Sequence, residues 1–177
     1  MSDNNSNSNQ SSTTNNKEDR PKLKILAFHG YRQNGTLFKG KIGSFRKTVS
    51  KYAQLYFISA THKVFNEEGG GDEDLPYTFK FAIFASGFRS GSLVHKGFYD
   101  EDIDLPSLHV YGESDSIIPK EMSESLINLF IKPVVAEHSG GHYVACSGSI
   151  KDAYLDFLHD RFQDIFEDPE KNNKRNP

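Results

Sequence analysis

The chain is poor in cysteine, contains no tryptophan and has no long hydrophobic run. Its single cysteine, Cys146, cannot form an internal disulfide bond, so a packed core has to stabilise the fold. No stretch of about 18 apolar residues is present, which argues against a membrane-spanning helix. The N-terminus lacks the apolar segment of a secretory signal. These absences predict a protein that is not secreted and that resides in the cytoplasm or the nucleus.

An excess of basic residues is also missing. The sequence has 21 lysines and arginines against 24 aspartates and glutamates, for a net charge of −3. No block of basic residues stands out along the chain, so the electrostatic footprint of a nucleic-acid-binding protein is absent. We therefore expect no nucleic-acid partner, and no motif predicts a cofactor or a metal site.

Composition divides the chain into one domain and three polar segments. Residues 1–20 are rich in asparagine and serine and cannot bury enough apolar surface to fold, so we expect a disordered tail. Residues 168–177 are expected to form a second disordered tail. The domain occupies residues 21–167, and residues 60–78 within it form an irregular linker that is acidic and rich in glycine.

Hydrophobic periodicity predicts an α/β domain. Short apolar runs predict five strands, at residues 23–28, 55–58, 79–85, 107–111 and 133–137. Helical spacing predicts three helices, at residues 38–51, 119–130 and 149–166. The first strand, helix and strand form a βαβ unit, which implies parallel pairing. No helix is predicted between the second and third strands, so the topology is irregular at the linker.

Two residues that follow strands have the order of an acid and a base in a catalytic triad. Asp115 ends the segment 105–115, and His142 closes the sequence His-Ser-Gly-Gly-His at 138–142. An acid followed by a histidine is the second half of a Ser–Asp–His triad in the order of α/β hydrolases. The alternatives are a turn aspartate that caps the next helix and a histidine in an ordinary glycine turn.

The sequence lacks the first half of such a triad, because no Gly-x-Ser-x-Gly elbow is present. Ser86 directly follows the third predicted strand, but residues 87–97 have the pattern of a loop and not of the helix that an elbow requires. Ser86 is therefore a weak candidate for the nucleophile. Cys146 is interpreted as a small residue that fills the core.

The turn after the first strand is a candidate oxyanion loop. It reads His29-Gly30-Tyr31, and in α/β hydrolases the loop at this place contributes one backbone N–H to the oxyanion hole. The donor would be the N–H of Tyr31, with Gly30 allowing close approach of the substrate. The alternative is a simple strand-to-helix turn that contains a glycine.

Several segments together resemble the FSH group of serine hydrolases, which comprises α/β-hydrolase esterases related to the ovarian-cancer-associated esterase and to fungal polyketide-releasing thioesterases. The matching segments are residues 23–47, 81–88, 105–115, 138–142 and 153–158. The resemblance covers residues 22–59 and 78–158, which is most of the predicted domain. It implies an α/β-hydrolase-like three-layer sandwich with a mostly parallel sheet.

The resemblance also implies roles for individual residues. Asp115 and His142 take the places of the triad acid and general base, and the N–H of Tyr31 takes that of an oxyanion donor. Ser86 matches a non-catalytic serine of the family. The implied substrate is a small-molecule acyl ester or thioester, and the implied activity is its hydrolysis.

The chain departs from the family between Ser59 and Thr78. Members of the family carry a Gly-Phe-Ser-Gln-Gly-like elbow there, whereas this chain has the linker instead. The missing part holds the nucleophile, the second oxyanion donor and the central strand of the sheet, so the fold is expected to be truncated to about five strands. Two hypotheses follow: an esterase or thioesterase by descent, and an inactive or incomplete variant of one.

Overall fold

The structure is a computed structural model that describes residues 20–59 and 78–168. The two predicted tails and the linker lie outside these ranges, apart from residues at their boundaries. Within the described ranges, no helix combines the length and the apolar character needed to cross a membrane.

The described residues form five strands and four α-helices. In chain order these are β1 (Leu23–Phe28), α1 (Gly35–Lys41), α2 (Gly43–Val49), β2 (Ala53–Ile58), β3 (Ala82–Ala85), β4 (Ser107–Gly112), α3 (Lys120–Ile127), β5 (Val134–His138) and α4 (Gly148–Phe162). A 3₁₀ helix spans Leu93–Tyr99, within and just beyond the segment predicted as a loop, and a π-helical turn at Gln163–Glu167 extends α4. All strand pairs are parallel, which confirms the predicted α/β class.

The strands are arranged in two sheets. β1 pairs with β2, and β3, β4 and β5 form a separate sheet with β4 in the centre. Direct pairing of β1 with β3, which the loss of a central strand would permit, does not occur in the described residues. Because β3, β4 and β5 run parallel, their carboxyl ends meet at one edge of the sheet.

One hydrophobic core joins the two sheets, and α4 is the element that connects them. Tyr154 of α4 is fully buried and packs edge-on against Phe45 of α2, with ring centroids 4.8 Å apart. One turn later, Phe157 makes a similar contact with Phe81, just before β3, at 5.9 Å. The cluster of buried apolar residues therefore extends from α2 and β2 to β4 and β5.

β4 is covered on both faces. Leu108 and Val110 point into the core beneath α4. His109, which alternates with them, faces the opposite side, where its ring stacks on Phe84 at 4.7 Å and meets Phe130, beyond the end of α3, at 4.8 Å. Coverage of both faces is typical of central strands in parallel sheets and gives three layers around β4.

The helix predicted at 38–51 is two short helices. α1 begins earlier than expected because the side chain of Asn34 caps it, accepting a hydrogen bond from the N–H of Leu37 at 2.9 Å. The break falls at Ile42, whose backbone (φ −102°, ψ 34°) is not helical. The Ile42 side chain is buried in the core, so the chain bends where this residue docks. Periodicity alone does not detect such a bend, because the apolar spacing continues across it.

Candidate functional site

Asp115 lies in the turn that follows β4, with its side chain completely buried. The turn is closed by a hydrogen bond from the N–H of Asp115 to the carbonyl oxygen of Gly112 at 3.2 Å. The Oδ1 atom of Asp115 accepts hydrogen bonds from the N–H groups of Ile117 and Ile118, each at 2.9 Å. One carboxylate oxygen thus organises the turn before α3, as expected for a turn aspartate.

The other oxygen of Asp115 meets two side chains. Oδ2 lies 2.9 Å from Nδ1 of His142 and accepts a hydrogen bond from Oγ of Ser86, also at 2.9 Å. The imidazole of His142 is about half exposed, at 47%, so one edge faces solvent while the other meets a buried carboxylate. Asp115 is therefore a turn residue through Oδ1 and a partner of His142 through Oδ2, but it does not cap α3, whose N-cap residue is Pro119.

The surroundings of Asp115 favour its ionised form. Burial would raise the pKa of its carboxyl group, but hydrogen bonds from Ile118, His142, Ile117 and Ser86 together outweigh it and lower the pKa to about 2. Asp115 therefore carries a negative charge at neutral pH. A buried carboxylate next to Nδ1 holds a proton on that nitrogen and leaves Nε2 of the imidazole free to accept one.

Glycines bring the loop of His142 close to β4. A Cβ atom on Gly112 would overlap the carbonyl oxygens of Gly140 and Gly141, so only glycine fits at the end of β4. The N–H of Ser114 donates to the carbonyl oxygen of Gly140 at 3.1 Å, which ties the two loops together. This close approach is what sets His142 beside Asp115.

Ser86 has an unusual backbone conformation. Its φ of +50° lies in the left-handed region, which is uncommon for a residue with a side chain. Its N–H continues the ladder of the sheet by donating to the carbonyl oxygen of Val110 at 2.8 Å. Its hydroxyl bonds to the acid and not to the imidazole, although a triad nucleophile has to reach Nε2 of the histidine.

The predicted oxyanion loop belongs to the other sheet. Gly30 and Tyr31 follow β1, and the carbonyl oxygen of Gly30 accepts a hydrogen bond from the N–H of Gln33 at 3.2 Å. The side chain of Tyr31 is 86% exposed. Among the hydrogen bonds of residues 20–59 and 78–168, none links this turn to Asp115 or His142. The structure therefore brings Asp115, His142 and Ser86 into contact and leaves Gly30 and Tyr31 outside this group.

A second serine–histidine contact was not anticipated from the sequence. Oγ of Ser90 lies 2.8 Å from Nδ1 of His95, and the N–H of Ser90 donates to the hydroxyl of Tyr99 at 2.7 Å. No ion pair in the described part of the chain involves His95. The sequence signal for this contact is a histidine five residues after a serine. This spacing is common in sequences, and it indicates a contact only when the 3₁₀ helix that carries His95 is known. No cluster of described residues is suited to hold a metal ion.

Comparison with known proteins identifies the family. The model of the family described as serine hydrolase (FSH1) matches residues 18–75 and 66–154. Esterase AGAP003155 of Anopheles gambiae is 36% identical over 220 residues, covering 86% of this chain and 83% of the mosquito protein. Esterase OVCA2 of Xenopus tropicalis is 45% identical over 215 residues, covering 79% and 93%. Esterase CG5412 of Drosophila melanogaster is 36% identical over 217 residues, covering 84% and 78%. The chain therefore belongs to the FSH1 serine hydrolase family.

Proposed function

We propose that this chain is a carboxylic ester or thioester hydrolase by descent that keeps the acid and the general base of its triad and has no nucleophile to serve them. Its substrate class would be a small-molecule acyl ester or thioester, as in the esterases to which it is similar. In the form given by this sequence, it is proposed to be catalytically inactive. The observation that carries the proposal is the geometry of Asp115, His142 and Ser86.

Asp115 and His142 have the arrangement that a triad requires of its acid and base. The contact of 2.9 Å joins Oδ2 of Asp115 to Nδ1 of His142, which is the nitrogen that the acid orients in serine hydrolases. Nε2 is then the atom that would take a proton from a serine and return it to the leaving group. The exposed edge of the imidazole leaves room for a substrate to approach.

Ser86 is proposed to position the acid and not to attack the substrate. Its hydroxyl donates to the oxygen of Asp115 that also meets His142, so it lies on the Nδ1 side of the imidazole. Attack from this position would require breaking the bond to Asp115 and crossing to the opposite edge of the ring. The left-handed backbone of Ser86 further restricts where its hydroxyl can point.

We propose that the missing nucleophile belongs to a segment absent at the linker. The family model matches in two segments that overlap only at residues 66–75, within the linker. The alignment with the mosquito esterase extends over 220 residues, more than the 177 that this chain has, so the relative contains residues without a counterpart here. The separation of β1 from β3 agrees with the loss of a strand between them.

A reducing compartment, either cytoplasm or nucleus, is part of the same proposal. The thiol of Cys146 is free and half-buried, and it donates to Oγ1 of Thr48 at 3.3 Å. A free thiol used as packing is common in compartments that keep cysteines reduced. Fractionation of cells that express the tagged chain would test the location directly.

A fluorophosphonate probe together with a p-nitrophenyl ester tests the activity. We expect neither covalent labelling nor hydrolysis above the rate without protein, because no serine in the described part of the chain forms a hydrogen bond with Nε2 of His142. Labelling that disappears in a His142→Ala variant would contradict the proposal. The variants Ser86→Ala and Ser90→Ala would then show whether the reactive serine is the one on the acid or the one beside His95.

A chimaera provides the matched positive control. The segment of a related esterase that carries its nucleophile is inserted between Ser59 and Thr78. We expect this protein to hydrolyse the ester and to lose at least roughly a thousandfold in kcat when His142 is replaced by alanine. A folded chimaera whose activity does not depend on His142 would show that Asp115 and His142 are not the acid and base.

A further inference from the structure

A second concave region lies between the first two helices and the β1–β2 sheet, separate from Asp115 and His142. It is an open cavity of about 480 Å³, within the size range of pockets that bind small molecules. Its wall contains four cationic side chains, those of Lys22, Lys39, Arg46 and Lys47, and no acidic one. The four cations come from three places in the sequence: the residue before β1, helix α1 and helix α2.

None of the four cations has an ionic partner among the described residues. The ion pairs of the described residues involve Lys120, Arg161 and His142, and none includes a cation of this cavity. The chain as a whole carries a net charge of −3, so this positive wall runs against its overall charge. A concave surface lined by charges of one sign concentrates its field and attracts ions of the opposite sign.

Two of the cations lie beside the ring of Phe57 in β2. Nζ of Lys39 and the guanidinium carbon of Arg46 each lie 6.0 Å from the centroid of the Phe57 ring. The Nη1 atom of Arg46 also donates to the carbonyl oxygen of Lys39 at 3.3 Å. An arginine fixed in this way presents its remaining N–H groups in a planar fork, which matches the oxygens of a phosphate group.

The floor of the cavity leaves room for a ligand. Gly43 lies between the cations of α1 and those of α2, and a Cβ atom placed on it would meet no other atom within 4 Å. Ser50 and Gln54 add polar side chains without charge to the wall. The cavity thus combines open space, hydrogen-bonding groups and four positive charges.

We propose that this cavity binds a phosphorylated small molecule that carries two or more adjacent phosphate groups. A diphosphate matches the site because it brings several negative charges to several unpaired cations within one small volume. The shared chemistry could come from an inorganic polyphosphate or from a nucleotide. The two sources differ in whether a base adds to the affinity of the phosphates.

Calorimetric titration of the full chain with inorganic pyrophosphate and with ADP tests the proposal. We expect binding at low salt that weakens as the salt concentration rises. The double variant Arg46→Gln/Lys47→Gln should weaken pyrophosphate binding by at least roughly tenfold. The control Lys96→Gln/Lys151→Gln removes the same charge from lysines that neither line the cavity nor form a described ion pair, and it should change the affinity by less than about twofold.

The outcomes separate the alternatives. Equal weakening in both double variants, or no binding of either probe, overturns the proposal, because the effect would then be one of net charge or absent altogether. Tighter binding of ADP than of pyrophosphate identifies a nucleotide as the better ligand, and equal binding identifies the phosphates alone. Amide NMR shifts near Gly43 and Gln54 show that the ligand occupies this cavity, and circular dichroism confirms that the variants are folded.

Discussion

The two sheets of this protein differ in that only the larger one has a central strand with both faces covered. All six residues of that strand, β4, are buried, whereas its edge strands β3 and β5 bury none and one, and β1 and β2 bury two and one. Apolar side chains such as Phe28 and Tyr56 remain exposed on the smaller sheet, at 63% and 41%. Each strand of the β1–β2 sheet has one neighbouring strand in the described residues, so this sheet lacks the two-sided coverage that is typical of parallel strands.

The candidate site follows the same division. Asp115, His142 and Ser86 are all positioned by the three-stranded sheet and are in contact. Gly30 and Tyr31, which match the family's oxyanion loop, follow β1 of the other sheet and make no such contact in the part of the chain that the structure describes. The residues that are in contact follow the three strands of one sheet, whereas the loop of Gly30 and Tyr31 follows a strand of the other sheet.

The largest effect is expected when the packing contact that joins the two sheets through α4 is removed. Tyr154→Ala removes the buried ring that packs on Phe45, and we expect the free energy of unfolding to fall by about 4 kcal/mol in urea denaturation. Tyr154→Phe is the matched control. It removes only a buried hydroxyl without a partner, so stability should stay within about 1 kcal/mol. A loss as small for alanine as for phenylalanine would show that α4 does not join the sheets.

An acid titration sharpens the comparison, because His109 lies only in the three-stranded sheet. Burial lowers the pKa of His109 from 6.5 to about 4. The unfolded chain therefore binds a proton at a higher pH than the folded chain, so protonation favours unfolding. We expect the free energy of unfolding to have its full value above pH 6.5 and to fall by on the order of 3 kcal/mol between pH 6.5 and 4. Thermal unfolding at a series of pH values measures this loss.

The variant His109→Phe is the control, and it should lose most of this pH dependence. A smaller part remains in the same window because burial also lowers the pKa of His138. The ionisation of Asp115 affects the free energy of unfolding at lower pH. Because its pKa falls from 3.8 to about 2 on folding, its stabilising effect is present above pH 3.8 and is lost as pH drops towards 2. An unchanged loss between pH 6.5 and 4 in His109→Phe would assign the effect to a different group.

The smallest expected effect compares one glycine from each region. Gly112→Ala should lower the free energy of unfolding by about 2 kcal/mol, because its methyl group meets the carbonyl oxygens of the His142 loop. Gly40→Ala in α1 meets no atom within 4 Å and should raise stability by about 0.5 kcal/mol through its better helix propensity. Urea denaturation measures both, and equal effects would contradict the close packing at Gly112.

Much of the fold could be predicted, because apolar runs and turns are local signals. All five predicted strands occur. The first has the predicted bounds, and the others differ only at their ends, most at the third strand, which begins at Ala82 instead of residue 79. The single helix at 38–51 was wrong, since the break at Ile42 depends on how that side chain docks in the core. The separation into two sheets could not be predicted from the sequence, because strand pairing depends on residues far apart in the chain.

For the site, the order of Asp115 and His142 along the chain was enough to predict that they meet. The sequence could not show that the two oxygens of Asp115 have different hydrogen-bond partners. It also could not show that Ser86 has a left-handed backbone and donates a hydrogen bond to this carboxylate. These details depend on how closely the loops after the strands approach one another, to within a few tenths of an ångström, and the local sequence pattern does not set that approach.

The sequence by itself determined the order of the strands along the chain, the α/β class, and an acid and a histidine in family order, because hydrophobic periodicity and motif spacing are local features of consecutive residues. Only the tertiary structure decided that β1 and β3 stay apart and that Lys22, Lys39, Arg46 and Lys47 line one cavity. No basic block is visible along the chain, because these charges are separated in sequence and meet only when α1 and α2 pack beside β2. Packing, and not local pattern, sets which distant side chains share a site.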